Sequence, residues 1–144
     1  MCIRDRLRSG ARNGPLVDAH RRPRARLKEG LTARLAGSTA MMDVSDGLAI
    51  DVHRLARASG VGVKLVAVPA VDGATQAEAL GGGEDYELLI ATGEPQRLMT
   101  AYVEAGLRAP LHIGTCTANV SERLLGDEPL APLGWQHMIG RLPR

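Results

Sequence analysis

The chain has 144 residues, a size that suits one domain with its own core, and 44% of them are hydrophobic. It has no Phe, one Trp and two Tyr, so the core must be built from Val, Leu, Ile, Ala and Met. The net charge of +2 hides an asymmetry, with ten of the eighteen Lys and Arg inside residues 1–34; no apolar run approaches the roughly 20 residues of a membrane span, and the charged start excludes a secretory signal.

Residues 1–20 carry Gly, Pro, Arg and Asn without periodicity and are expected to form an irregular or disordered arm. No aromatic side chain interleaves its arginines to stack on bases, so a solvated basic arm is preferred to a nucleic-acid-binding one. Leu27, Leu31 and Leu35 recur at steps of four and predict a short helix that Gly37 ends. Thr39 to Met42 reads as a buried strand running into Asp43-Val44-Ser45-Asp46-Gly47. A helix follows, with Leu48, Val52, Leu55, Ala56 and Ser59 on its inner face and Asp51, His53, Arg54 and Arg57 mostly outward, stopped by Gly60.

Val61 to Val68 reads as the next strand, closed by Pro69, and Ala74 to Leu80 as one or two helical turns. The glycine turn Gly81-Gly82-Gly83 leads through Glu84 and Asp85 into a strand from Tyr86 to Thr92. Pro95 to Ala105 is an amphipathic helix with Pro in its first turn and Gly106 at its end. Leu111 to Thr115 and Arg123 to Leu125 are the last strand candidates. Helices and strands alternate, which predicts one α+β domain with helices packed on a sheet.

Three strings could carry chemistry. Asp43-Val44-Ser45-Asp46-Gly47 sits at a strand-to-helix junction, where backbone N–H groups point outward with partial positive charge. Asp43 and Asp46 offer hard oxygens suited to Mg²⁺, and Ser45 offers a hydroxyl to a phosphate oxygen. The plainer alternative makes Ser45 or Asp46 the helix N-cap and Asp43 a surface residue. In Gly81 to Glu87, glycines allow close approach to a ligand, and three acids within four residues call for a cation, unless the segment is only a turn with solvated carboxylates. Trp135 could cap the core or stack on a flat, cationic ring. The two cysteines, Cys2 and Cys116, set no disulfide framework and fit a reducing cytoplasm. The four histidines lack ligand spacing, and there is no Walker-type or dinucleotide glycine motif.

Taken together, Met42 to Leu48 and Gly82-Gly83-Glu84-Asp85-Tyr86-Glu87-Leu88 closely resemble the signatures of the thiamine-monophosphate kinases. Arg22-Pro23-Arg24 with Leu27, Ile113-Gly114 and the closing Gly134-Trp135-Gln136-His137 fit the same pattern, so the resemblance covers residues of about 20–139. It implies a layered α/β/α domain on a mixed sheet, like the C-terminal domain of the aminoimidazole-ribonucleotide synthetase superfamily, over residues 21–144. It also implies ATP-dependent phosphorylation of thiamine monophosphate to thiamine diphosphate with Mg²⁺. By that pattern Asp43 and Asp46 are Mg²⁺ ligands, Ser45 contacts ATP, Glu84 binds the thiamine substrate and Trp135 lies against it. Such enzymes carry an amino-terminal domain that supplies most ATP and Mg²⁺ ligands and forms the homodimer. Nothing in this chain corresponds to that domain, so little or no activity is expected of it alone. The competing expectation is a non-catalytic module that binds thiamine phosphates or Mg-nucleotide. Met138 replaces the usual Phe, and the segment from Pro69 to Gly81 is short.

Overall fold

The computed structural model describes residues 12–13, 21–70 and 75–136. The expectations for most of the 1–20 arm, for Cys2 and for His137 and Met138 lie outside the described residues.

Among the described residues four helices and six strands follow in order, alternating up to the last three strands: α1 (Leu27–Leu35), β1 (Ser38–Asp43), α2 (Leu48–Ala58), β2 (Gly62–Leu65), α3 (Gln76–Gly81), β3 (Leu88–Thr92), α4 (Pro95–Glu104), β4 (Gly114–Thr117), β5 (Arg123–Leu125) and β6 (Glu128–Pro129). The helices stop where the sequence places a turn residue, with Gly37, Gly60 and Gly106 all at positive φ just beyond α1, α2 and α4. At its start α3 has a reciprocal cap: the Thr75 hydroxyl accepts from the Glu78 N–H at 3.2 Å, and the Glu78 carboxylate accepts from the Thr75 N–H at 2.8 Å.

The strands form two sheets rather than one. β1 and β3 pair antiparallel, with Asp43 opposite Leu88 and Ser38 opposite Thr92. The second sheet is mixed, in the order β4-β2-β5-β6, with β2 and β5 parallel and the other pairs antiparallel. The expected mixed sheet is this one, and β6 was missed because it spans only two residues and contains Pro129.

Two apolar clusters hold the layers together. The larger joins Val44, Leu48, Ala49, Val52 and Ala56 to Val63 and Leu65 of β2, with Leu80 and Leu130 closing it. Leu65 is almost fully buried, which contributes about 2–3 kcal/mol for one such side chain. The smaller cluster sets Ala33 of α1 and Ala36, the residue that caps its end, against Leu98 and Tyr102 of α4, and the Tyr102 hydroxyl donates to the Glu29 carbonyl at 2.8 Å.

The buried faces of α1 and α2 are not set by the apolar pattern alone. Leu27, Leu31 and Leu35 are exposed by 78%, 53% and 65%, so α1 turns Ala33, not its leucines, to α4. Asp51, expected to face outward, is completely buried. Its charge is balanced by the contacts described next, which is what a buried carboxylate requires.

Candidate functional site

The site follows from the antiparallel pairing of β1 with β3. The loop leaving β1 and the loop entering β3 must lie at the same end of that two-stranded sheet. Hydrogen bonds continue the pairing past the strand ends: Val44 N–H donates to the Glu87 carbonyl at 2.8 Å, Tyr86 N–H to Val44 at 2.9 Å and Glu84 N–H to Ser45 at 2.6 Å. The Asp43–Gly47 string is thereby laid along the Gly82–Glu87 string. On its other side, the Trp135 N–H donates to the Asp46 carbonyl at 2.8 Å and the Ile50 N–H to Leu133 at 3.2 Å. The three strings singled out in the sequence therefore meet in space, with Ser45 and Asp46 in the middle.

Glycine is what permits this closeness. A Cβ on Gly83 would stand 2.7 Å from the Ser45 carbonyl oxygen. One on Gly134, at φ +148°, would stand 2.6 Å from the Asp46 carbonyl oxygen and 2.5 Å from Ile50. Beside Gly83, the non-glycine residues Glu84 and Tyr86 take positive φ values of 67° and 51°. Such a backbone is unfavourable for side-chain-bearing residues and concentrates at functional segments.

The loop before α2 is shaped by a residue the sequence reading placed on the wrong face. Asp51 Oδ2 accepts from three consecutive backbone N–H groups, those of Ser45 and Asp46 at 3.0 Å each and Gly47 at 3.3 Å. Neither Ser45 nor Asp46 is the N-cap, which is Gly47 with no side-chain cap bond. These N–H groups, expected to point outward, are instead taken up by Asp51. Arg54 then ties the loop down, its Nη1 donating to Asp51 Oδ1 at 2.8 Å and also to Asp46 Oδ2. Hydrogen bonding to Asp46, opposed by desolvation and reinforced by Asp51, holds Arg54 above its ordinary value. The spacing of Asp51 and Arg54, three residues apart on a helix, was the available signal for this pair.

The second string has its own countercharge. Arg26 donates to Glu87 and, at 3.3 Å, to Glu29, while Arg108 lies 3.9 Å from Glu87. Part of the acid repulsion in Glu84-Asp85-Tyr86-Glu87 is therefore met by protein guanidinium groups. Asp85 is pushed above the usual carboxylate range: neighbouring atoms strip hydration from its carboxyl, although the residue as a whole is exposed, and Glu87 adds like charge.

Asp43 and Glu84 are exposed, Ser45 and Asp46 half-buried, and Trp135 is half exposed, so Trp135 does not plug the core. Among the described residues no three His, Cys, Asp or Glu side chains come together as a full metal cage. Mg²⁺ seldom needs one, since it is commonly held by one or two carboxylates with water and substrate phosphates completing the shell. Asp43 and the second oxygen of Asp46 are carboxylate donors of the kind such a partial site uses, while Arg54 already holds the first oxygen of Asp46. No helix among the described residues is long and apolar enough to cross a membrane.

The chain matches the family described as AIR synthase related protein, C-terminal domain, over residues 2–126. That match begins in the basic stretch, ahead of the strings from Arg22 onward that carried the resemblance. The chain is similar to the thiamine-monophosphate kinase of Methanospirillum hungatei, 45% identical over half of this chain and 27% of that protein. It is 32% identical to the one of Mycobacterium tuberculosis over 81% of this chain and 36% of that protein. For the Halobacterium salinarum kinase the figures are 36% identity, 71% of this chain and 38% of that protein. The chain thus spans well under half the length of these relatives. In fold it resembles the crystal structure of tt0281 from Thermus thermophilus, with a TM-score of 0.56 and 24% identity over 81% of this chain and 45% of that one. By the extent of the domain match, the chain belongs to the AIR synthase related protein family, as its C-terminal domain.

Proposed function

We propose that this chain is the carboxy-terminal half of a thiamine-monophosphate kinase and works together with an amino-terminal, ATP-binding domain. In the reaction, the bond between the γ-phosphorus of ATP and its bridging oxygen breaks. A new bond forms to a phosphate oxygen of thiamine monophosphate, and ADP and thiamine diphosphate leave. The names of the similar proteins support this reading, and so does one observation in particular. The backbone bonds from Glu84 to Ser45 and from Trp135 to Asp46 bring the residues proposed for the nucleotide and those proposed for the substrate into one cluster.

In this reading Ser45 donates its hydroxyl to an ATP phosphate oxygen, and Asp43 and Asp46 hold Mg²⁺. The ion, when bound, neutralises charge on the phosphates. Glu84 places a carboxylate near the cationic thiazolium, and the exposed face of Trp135 covers the ring. No covalent nucleophile is required, because phosphoryl transfer depends on positioning and charge neutralisation. The relatives' additional length would supply the remaining ATP and Mg²⁺ ligands and the dimer contact, so the chain alone is inactive. A cytoplasmic setting goes with ATP as co-substrate and with the free, exposed Cys116.

Trp135 is the sole tryptophan, so its emission reports on the site directly. Titrating the chain with thiamine monophosphate and Mg²⁺ should give a saturable change in emission, and Glu84→Gln should weaken it by roughly tenfold, as loss of a charge-assisted contact does. A folded chain whose emission does not respond to the ligand would contradict the assignment of the substrate to this cluster.

A further inference from the structure

We infer that Arg54 is a built-in competitor of the divalent cation for Asp46, and so sets how readily this half of the site takes a metal. The inference rests on the reading of Asp46 as a cation ligand.

The two carboxylates are not equivalent. Asp51 is fully buried, and both its oxygens are engaged, Oδ2 by three backbone N–H groups and Oδ1 by Arg54 at 2.8 Å. It is a fixture of the loop and has no oxygen left for a metal. Asp46 keeps 20% of its side chain exposed, and among the described residues its Oδ2 alone is taken, by the same Arg54 nitrogen. The guanidinium therefore sits where it neutralises both acids when no metal does. A cation arriving at Asp46 meets a positive charge already bonded to its ligand. It must either share the carboxylate through Oδ1 or displace Nη1 from Oδ2.

Displacement is feasible because Arg54 has a second anchor. Released from Asp46, its Nη1 still has Asp51 Oδ1, which stays in place through the three backbone bonds. Arg54 is 31% exposed, so its other guanidinium nitrogens can turn to water as this happens. The bond between Arg54 and Asp51 thus serves as a parking position, and Arg54 is a positioning residue for Asp46 rather than a catalytic one.

The test uses Mn²⁺ as a paramagnetic probe, with free Mn²⁺ counted by its electron paramagnetic resonance signal, on the whole chain without nucleotide. Arg54→Gln should bind Mn²⁺ roughly tenfold more tightly than the parent, the size of effect expected from removing a unit charge several ångströms from a divalent ion in a partly hydrated site. Arg54→Lys, which keeps the charge, should bind like the parent. Combining Arg54→Gln with Asp46→Asn should abolish the gain. A purely structural role would instead weaken binding in both Arg54 variants, and that result would overturn the inference. Binding that Asp46→Asn abolishes but Arg54→Gln does not strengthen would sink the Arg54 proposal and spare Asp46 as a ligand. Absence of Mn²⁺ binding in parent and Arg54→Gln alike, with circular dichroism showing both folded, would overturn both.

Discussion

Replacing Asp51 is the most direct test of how the central loop is held. In Asp51→Ala three neighbouring N–H groups lose their acceptor and Arg54 loses its buried partner. An N–H left buried and unpaired costs about 1–3 kcal/mol. Ser45 and Asp46 are only half-buried, so water can replace the carboxylate for part of this, whereas Gly47 is buried. Arg54 is 31% exposed and keeps Asp46, so its share of the loss is small, and the three N–H groups set the expectation for Asp51→Ala at about 2–4 kcal/mol. Asp51→Asn keeps one acceptor oxygen and should lose about 1–3 kcal/mol, on the scale of a single buried hydrogen-bonding group. A domain stable by about 5–15 kcal/mol would feel either change strongly. Urea unfolding followed by circular dichroism would show a lower midpoint with an unchanged slope. If both variants unfolded within about 0.5 kcal/mol of the parent, the size expected of an ordinary surface change, the loop would owe its shape to something other than Asp51.

Two further substitutions probe the packing. Gly83→Ala would push a methyl to 2.7 Å from the Ser45 carbonyl oxygen, so the two strings should separate. We expect a loss of about 1–3 kcal/mol in urea unfolding, typical of overpacking, together with a weaker Trp135 response to thiamine monophosphate. On α1, Ala33→Leu should cost about 1–3 kcal/mol because Ala33 has no exposed surface and sits against α4, whereas Leu31→Gln, at a half-exposed position, should change stability by less than about 0.5 kcal/mol. The reverse order in thermal or urea unfolding would mean that the leucine face of α1 is the packed one.

Local pattern carried most of the elements because each is short and bounded by a turn residue. The leucine repeat gave α1 with both its ends, and Arg123 to Leu125 emerged as a strand with its limits unchanged. The strand expected from Val61 to Val68 is shorter, and the one expected from Leu111 starts at Gly114, since apolar residues continue beyond the paired backbone. What local pattern could not give was direction. The four-residue repeat that marks α1 as a helix does not say which face packs: Ala33 meets α4 while the leucines stay exposed. Helical spacing sets Asp51 off the apolar face and so toward water, although its place in the first turn of α2, beside N–H groups that need an acceptor, is where a carboxylate is useful. The convergence of the three strings depends on β1 pairing with β3 across the intervening α2, β2 and α3, a long-range pairing that no stretch of sequence displays. The residues named for the site were legible as motifs, while Asp51, Arg54 and Arg26, which hold those motifs in place, were not.

Thiamine diphosphate formation decides whether the cluster around Asp46 is half of a phosphoryl-transfer site, as proposed. Thiamine monophosphate and Mg-ATP would be incubated with the chain alone and with the chain mixed with the amino-terminal domain of a related kinase, using Asp46→Asn as the control. Product is expected in the mixture, none from the chain alone, and none with Asp46→Asn. A folded mixture that makes no product would contradict the kinase reading and leave a binding module, and product that survives Asp46→Asn would contradict the role given to Asp46.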